Sequence, residues 1–87
     1  MRIRTADDLG RYVRDRRLAA ALTQTDLAAR ARVSRRWLSD LESGKPTAEV
    51  GLVLKVVDAL GMYISLLPKP AMDVDLDALL DSLGAPL

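Results

Sequence analysis

The side chains best equipped for chemistry in this chain are arginines. Arg35 and Arg36 directly follow Ser34 and open a short run in which Leu38 and Leu41 keep helical spacing. A guanidinium presents two parallel donors that match guanine O6 and N7 or a pair of phosphate oxygens. Arginines at the start of a helix whose other side is buried therefore point to nucleic-acid recognition. With Leu38 and Leu41 turned inward, the outward set is Arg35, Arg36, Ser39 and Asp40, capped by Ser34, and these five are the expected base-edge residues. Asp40 is able to accept from a cytosine amino group. Thr23 and Gln24 begin the preceding helix, where free backbone N–H groups attract a phosphate. Lys45, just past the arginine-bearing helix, is placed for a second phosphate. The spacing between Gln24 and Arg35 would let the amide steady that arginine. Trp37 reads as a residue that packs on protein rather than on a base.

Other chemistries are short of reagents. The chain has no Cys and no His. That removes thiol nucleophiles, the commonest general base and every His-based triad, and it excludes disulfides and ordinary zinc sites. Its carboxylates are scattered over separate helices, so no enzyme activity, cofactor, metal or small-molecule substrate is expected. The net charge of +1 conceals an asymmetry. Residues 1–45 hold eleven Arg and Lys against six acids (+5), and residues 46–87 hold two against six (−4). A basic binding half and an acidic or self-associating half follow.

The elements that must position these residues are mostly helices. Hydrophobic residues make up 49% of the chain with no Phe and one Trp, so the core is aliphatic. Thr5, followed by Asp7 and Asp8, starts a helix over about 6–20, marked by Leu9, Val13 and Leu18. Thr23 and Asp26 have capping-box spacing and start a second helix over 24–31, with Leu27, Ala28 and Ala31 as its stripe. Ser34 caps a third over 35–42, closed by Gly44. After Lys45-Pro46, Thr47 is expected to cap a fourth over about 48–60, ended by Gly61. Val53, Val56, Val57 and Leu60 form its core face. Val50 and Leu54 lie off that face and need a second surface.

Met62-Tyr63-Ile64-Ser65-Leu66-Leu67 is the one convincing β-run, stopped by Pro68. A lone strand leaves its backbone groups unpaired. Pairing with the same strand of a second copy across a two-fold axis resolves this, which places Val50, Leu54, Met62, Ile64 and Leu66 in a homodimer interface. The alternative is an extended tail packed on its own domain. Residues 1–68 thus form one domain, and 69–87 an acidic tail with a short helix over 76–83, where Leu76, Leu79, Leu80 and Leu83 share a face. An 87-residue chain buries only about 60% of its unfolded surface, which makes such self-association useful. The apolar stretch from Ala59 to Pro68 is about half of what a membrane helix needs, and the start of the chain lacks a signal-peptide core. A cytoplasmic protein with no membrane partner, nucleoid-associated when bound to DNA, is expected.

Leu22-Thr23-Gln24-x-x-Leu27-Ala28-x-x-Ala31-x-Val33-Ser34, followed by Leu38-Ser39-x-Leu41-Glu42-x-Gly44, resembles the Xre/Cro-type repressor helix-turn-helix over roughly residues 8–61. The run from Val33 to Glu49, continued through Asp58-Ala59-Leu60-Gly61, is similar to the HipB-like antitoxins. The resemblance implies an all-α, four- to five-helix, lambda-repressor-like domain with one C-terminal strand paired across a homodimer. It implies binding to palindromic operator DNA, with the Ser34–Glu42 helix in the major groove. It also implies a partner, a HipA-type Ser/Thr kinase toxin held inactive, and repression of the shared operon. A stand-alone Xre-type repressor, such as a phage or restriction-modification controller, is the alternative. Family members often join an Arg of the first helix to a Glu near the end of the third, and Arg17 and Glu42 match those positions as a structural ion pair. One departure is Arg32, where the family commonly has Gly. The turn must then take a left-handed residue or change shape, at a cost of roughly 1 kcal/mol or more.

Overall fold

Four helices are built in chain order, and each begins and ends for local reasons. The computed structural model describes residues 2–69, together with Asp77 and Leu80. The helices are α1 (Ala6–Ala19), α2 (Gln24–Ala31), α3 (Arg35–Glu42) and α4 (Val50–Ala59). Thr5 and Thr23 open α1 and α2 with reciprocal boxes, each hydroxyl accepting from the N–H of the Asp three residues on while that carboxylate accepts from the Thr N–H. The Ser34 hydroxyl accepts from the Trp37 N–H at 3.0 Å to start α3.

All four helices end alike. A residue just beyond each end, the first after α2 and the second after the others, adopts a left-handed conformation: Ala21 (φ 57°), Arg32 (φ 58°), Gly44 (φ 89°) and Gly61 (φ 73°). At each end two backbone N–H groups then return to the last turn. After α3, Gly44 donates to Leu41 at 3.0 Å and Lys45 to Asp40 at 3.1 Å; after α2, Arg32 donates to Ala29 at 3.3 Å and Val33 to Ala28 at 3.0 Å. These bonds satisfy carbonyls that a helix end otherwise leaves open. The departure at Arg32 thus keeps the ordinary turn and places a side chain in the strained region.

Two expectations change. Thr47 does not cap α4: residues 46 and 47 form a turn, and Glu49 is the N-cap, without a side-chain bond. Helix α4 therefore begins at Val50 rather than 48, with Ala48 packed on the core before the helix starts. Leu18, expected in the apolar stripe of α1, is 53% exposed. The buried stripe is Gly10, Val13 and Arg17, because Arg17 finds a counter-charge inside. Residues 62–67 form no ladder among the described residues of the single chain, and a strand expected to pair with a second copy is not tested by it. The expected tail helix over 76–83 lies outside the described residues except Asp77 and Leu80, which are helical.

The core joins all four helices through Val13, Leu27, Ala28, Ala31, Leu38, Leu41, Val53, Val56 and Val57, with Trp37 and Met62 among the half-buried residues against it. Helix α1 packs on α3. A Cβ on Gly10 would collide with the carbonyl oxygens of Leu41 and Glu42, and Asp7 fills the space beside Gly44. Only a residue without a side chain lets the two backbones approach so closely.

Candidate nucleic-acid interface

Helix α3 carries the candidate site on the side away from its buried Leu38 and Leu41. Arg36, Ser39 and Asp40 occupy the outward face by helical spacing. Trp37, on one flank, packs half-buried against the core. Arg35 and Glu42 share the opposite flank, the one that faces α1. Arg35 lines a shallow groove of ≈520 Å³ with Leu18, Ala21 and Leu22 from the end of α1 and its turn, and Thr23, Gln24 and Thr25 from the start of α2. The structure thus brings Arg35, Thr23 and Gln24 together, as a cationic side chain facing a helix N-terminus.

At that N-terminus the capping box uses part of the supply of donors. Thr23 N–H donates to Asp26 Oδ2 at 3.0 Å, and Asp26 N–H to Thr23 Oγ1 at 3.0 Å. The first helical amides, those of Gln24 and Thr25, remain without an intrahelical acceptor, as at any helix start. The hydrogen bond from the Thr23 backbone, then that from its hydroxyl, holds the Asp26 carboxyl below the usual carboxylate range.

Beneath α3 lies an ion pair. Arg17 Nε donates to Glu42 Oε2 at 2.8 Å and its Nη2 to Oε1 at 2.9 Å, and Nη1 donates to the Leu22 carbonyl at 2.9 Å. The two side chains are only 9% and 3% exposed. Hydrogen bonding to Glu42 raises the Arg17 pKa further above its already high value. Gln24 Nε2 donates to the same Glu42 Oε1 at 3.3 Å. Gln24 is therefore bonded to Glu42 and not to Arg35, which corrects the expectation that it steadies that arginine: its amide N–H₂ is given to a carboxylate oxygen, a strong charge-assisted acceptor. One carboxylate therefore ties α1, the start of α2 and the end of α3 into one unit.

Lys45 and Asp40 also meet, at 3.8 Å with both side chains well exposed. A pair of this kind contributes at most about 1 kcal/mol, so either partner is readily redirected to another charge. Ser34 keeps its hydroxyl on the Trp37 N–H, leaving its hydrogen available to donate.

The residues assigned to a subunit interface separate into two groups. Val50 is 72% and Leu66 is 89% exposed, and Leu54 and Ile64 are exposed as well. Met62 is half-buried against its own core, and its N–H donates to the Val57 carbonyl at 3.1 Å. Sequence reasoning missed Tyr63 (81% exposed) and Leu67, which extend the apolar surface; their place in the same β-run was the available signal. It also missed Gly10, whose role is a contact with a distant helix. Among the described residues no group of three metal-ligating side chains lies together, and no helix is long and apolar enough to cross a membrane.

Comparison with known proteins agrees with this geometry. Residues 8–69 match a family model described as a helix-turn-helix domain. An uncharacterised HTH-type transcriptional regulator, y4mF of Sinorhizobium fredii (strain NBRC 101917 / NGR234), is 47% identical over 66 residues, covering 76% of this chain and 87% of that protein. Among solved structures, a serine-to-alanine variant of HipB in complex with an O2 20-mer superposes with a TM-score of 0.75 at 17% identity, over 80% of this chain and 97% of that one. A chain of a HipA–HipB–O2–O3 complex gives the same TM-score and identity and is covered over 99%. At that identity the likeness is one of fold.

Proposed function

The chain belongs to the helix-turn-helix domain family of transcriptional regulators, and from that premise we propose that it is a sequence-specific repressor that binds a palindromic operator as a homodimer. The observation that carries this reading is the exposed arginine pair at the start of α3, on a helix locked from beneath by the Arg17–Glu42 pair. In this reading Ser34, Arg35, Arg36, Ser39 and Asp40 face base edges. The amides at the start of α2, beside Thr23 and Gln24, and Lys45 hold phosphates. The partner subunit covers Val50, Leu54, Ile64 and Leu66 and pairs with residues 62–67. The fold shared with HipB supports a finer reading, an antitoxin that neutralises a HipA-type kinase and represses its own operon. A repressor without a toxin is the second reading, favoured by the S. fredii relative, which is named only as a transcriptional regulator.

The test compares a duplex from the chain's own upstream region with a random duplex of equal length. Arg36→Ala is expected to lose about 1–3 kcal/mol on the first and much less on the second. Equal losses on both would make Arg36 a phosphate contact only. Protection of two half-sites roughly 34 Å apart is expected of the dimer, and a single protected site at saturation would contradict it. Deleting residues 70–87 should abolish capture of a kinase partner under the antitoxin reading, and change nothing under the other.

A further inference from the structure

One edge of α1 carries arginines that neither the core nor the arrangement above uses. Asp7, Arg11, Arg14 and Leu18 recur at helical spacing and so share one edge. Both ends of that edge are located against α3. Asp7 sits beside Gly44 at the C-terminal end of α3, and Leu18 lines the same groove as Arg35 at its N-terminal end. Between them Gly10 brings the α1 backbone onto the carbonyls of Leu41 and Glu42. The edge therefore runs beside α3, and Arg14 lies on it between Asp7 and Leu18, toward the flank that carries Arg35.

The geometry of a groove gives this placement a consequence. The major groove is about 12 Å wide, and packed helices lie roughly 8–10 Å apart, axis to axis. With α3 in the groove, a helix packed on its flank stands over the groove wall, which is the sugar-phosphate backbone. We propose that Arg14 contacts a backbone phosphate and continues the phosphate-binding surface that begins at the start of α2. The proposal rests on the DNA-binding reading and adds to it a contact from outside the helix-turn-helix. Arg14 is exposed and pairs with no acid among the described residues, whereas Arg11 is already drawn toward Asp8, whose carboxyl it helps hold down. Arg14 is accordingly the main contact on this edge.

Arg16 provides the control, because it lies in the same helix with the same charge and exposure but on the other side. Binding of a random-sequence duplex is measured by fluorescence anisotropy from 50 to 250 mM salt. For Arg14→Ala the slope of log Kd against log salt should fall by about one, with roughly five- to tenfold weaker binding near 100 mM. Arg14→Lys should keep the slope, and Arg16→Ala should stay close to the unsubstituted protein. Thermal melting of all three should be unchanged, since neither side chain is buried. Equal slopes for Arg14→Ala and Arg16→Ala would overturn the proposal. Absence of any binding by the unsubstituted protein at 50 mM would instead overturn the DNA-binding reading itself.

Discussion

Removing the Glu42 carboxylate is the sharpest probe of how α3 is held. Glu42→Ala takes three hydrogen bonds at once, two from Arg17 and one from Gln24. It leaves the guanidinium of an arginine whose side chain is 9% exposed with one backbone acceptor, the Leu22 carbonyl, and no counter-charge. Stranding a buried charge in this way costs about 3–5 kcal/mol. A chain of 87 residues has a total stability of about 4–13 kcal/mol at 0.05–0.15 per residue, so the loss takes roughly a quarter of it at the least. With a urea slope near 1 kcal/mol per molar, typical of small domains, the unfolding midpoint should fall by several molar. Arg17→Met combined with Glu42→Leu removes both charges and should recover most of the loss, because neither partner is then left stranded. The assay is urea unfolding followed by helical circular dichroism at one fixed protein concentration, which keeps any self-association constant. A loss below about 1 kcal/mol for Glu42→Ala would put the pair among exposed ones. A double variant no more stable than the single would refute the stranded-charge argument outright.

The other expectations concern the backbone and the caps. Arg32→Gly should stabilise by up to about 1 kcal/mol, the left-handed strain removed minus the added freedom of the unfolded chain. Melting should then rise by about 4–8 °C per kcal/mol; an unchanged or lower midpoint would show that the Arg32 side chain has a compensating contact. Gly10→Ala should destabilise by about 1–3 kcal/mol, because the new methyl meets backbone carbonyls that cannot turn aside, and a neutral result would mean that α1 moves off α3 freely. Hydrogen bonds from the backbone of Arg4 and Thr5 hold the Asp8 carboxyl below the usual carboxylate range, as those from Thr23 do for Asp26. Depressed values of this kind stabilise the fold above the unfolded-state pKa and lose the effect as pH falls through the folded-state one. Melting should be flat from pH 7 to about 5 and fall below about 4. Asp8→Asn with Asp26→Asn should blunt that fall, and an identical acid limb in the double variant would exclude the two boxes as its cause.

What was legible in the sequence is what is decided locally. Thr23 with Asp26, Ser34, Gly44 and Gly61 act within one turn of themselves, so their spacing alone locates the ends of α2, α3 and α4's last turn. The start of α4 was misplaced because Thr47 has the right chemistry for a cap but sits in the turn that follows Pro46. Leu18 and Arg17 exchange their expected places because hydropathy values a single side chain, whereas Arg17 is buried jointly with a glutamate 25 residues away. Resemblance to a family pointed to that pair; periodicity did not. Gln24 shows the same limit at the site, since its partner is chosen by a carboxylate from α3 and not by the arginine nearest in the motif. Gly10 left no signal, because a close approach between helices is visible only once both are in place.

The two kinds of surface on this chain follow from one division of labour. Everything that fixes α3 lies on its inner side: Leu38 and Leu41 in the core, Gly10 against its last carbonyls, and Glu42 bonded to Arg17 and Gln24. Its outward side chains, apart from the weak Asp40–Lys45 pair, take no part in holding it, so a ligand meets a helix already in place and the ordering cost of binding falls on a few side chains. A core built from small aliphatic residues achieves this with little to spare. The apolar groups that do not fit into it, Val50, Leu54, Tyr63, Ile64 and Leu66, collect on α4 and the segment after it. Exposed Asp58, four residues after Leu54, borders these side chains on the same edge of α4, and residues 62–67 carry no charge. Self-association through α4 and residues 62–67 would thus supply the burial that 87 residues lack, while leaving the fixed face of α3 open.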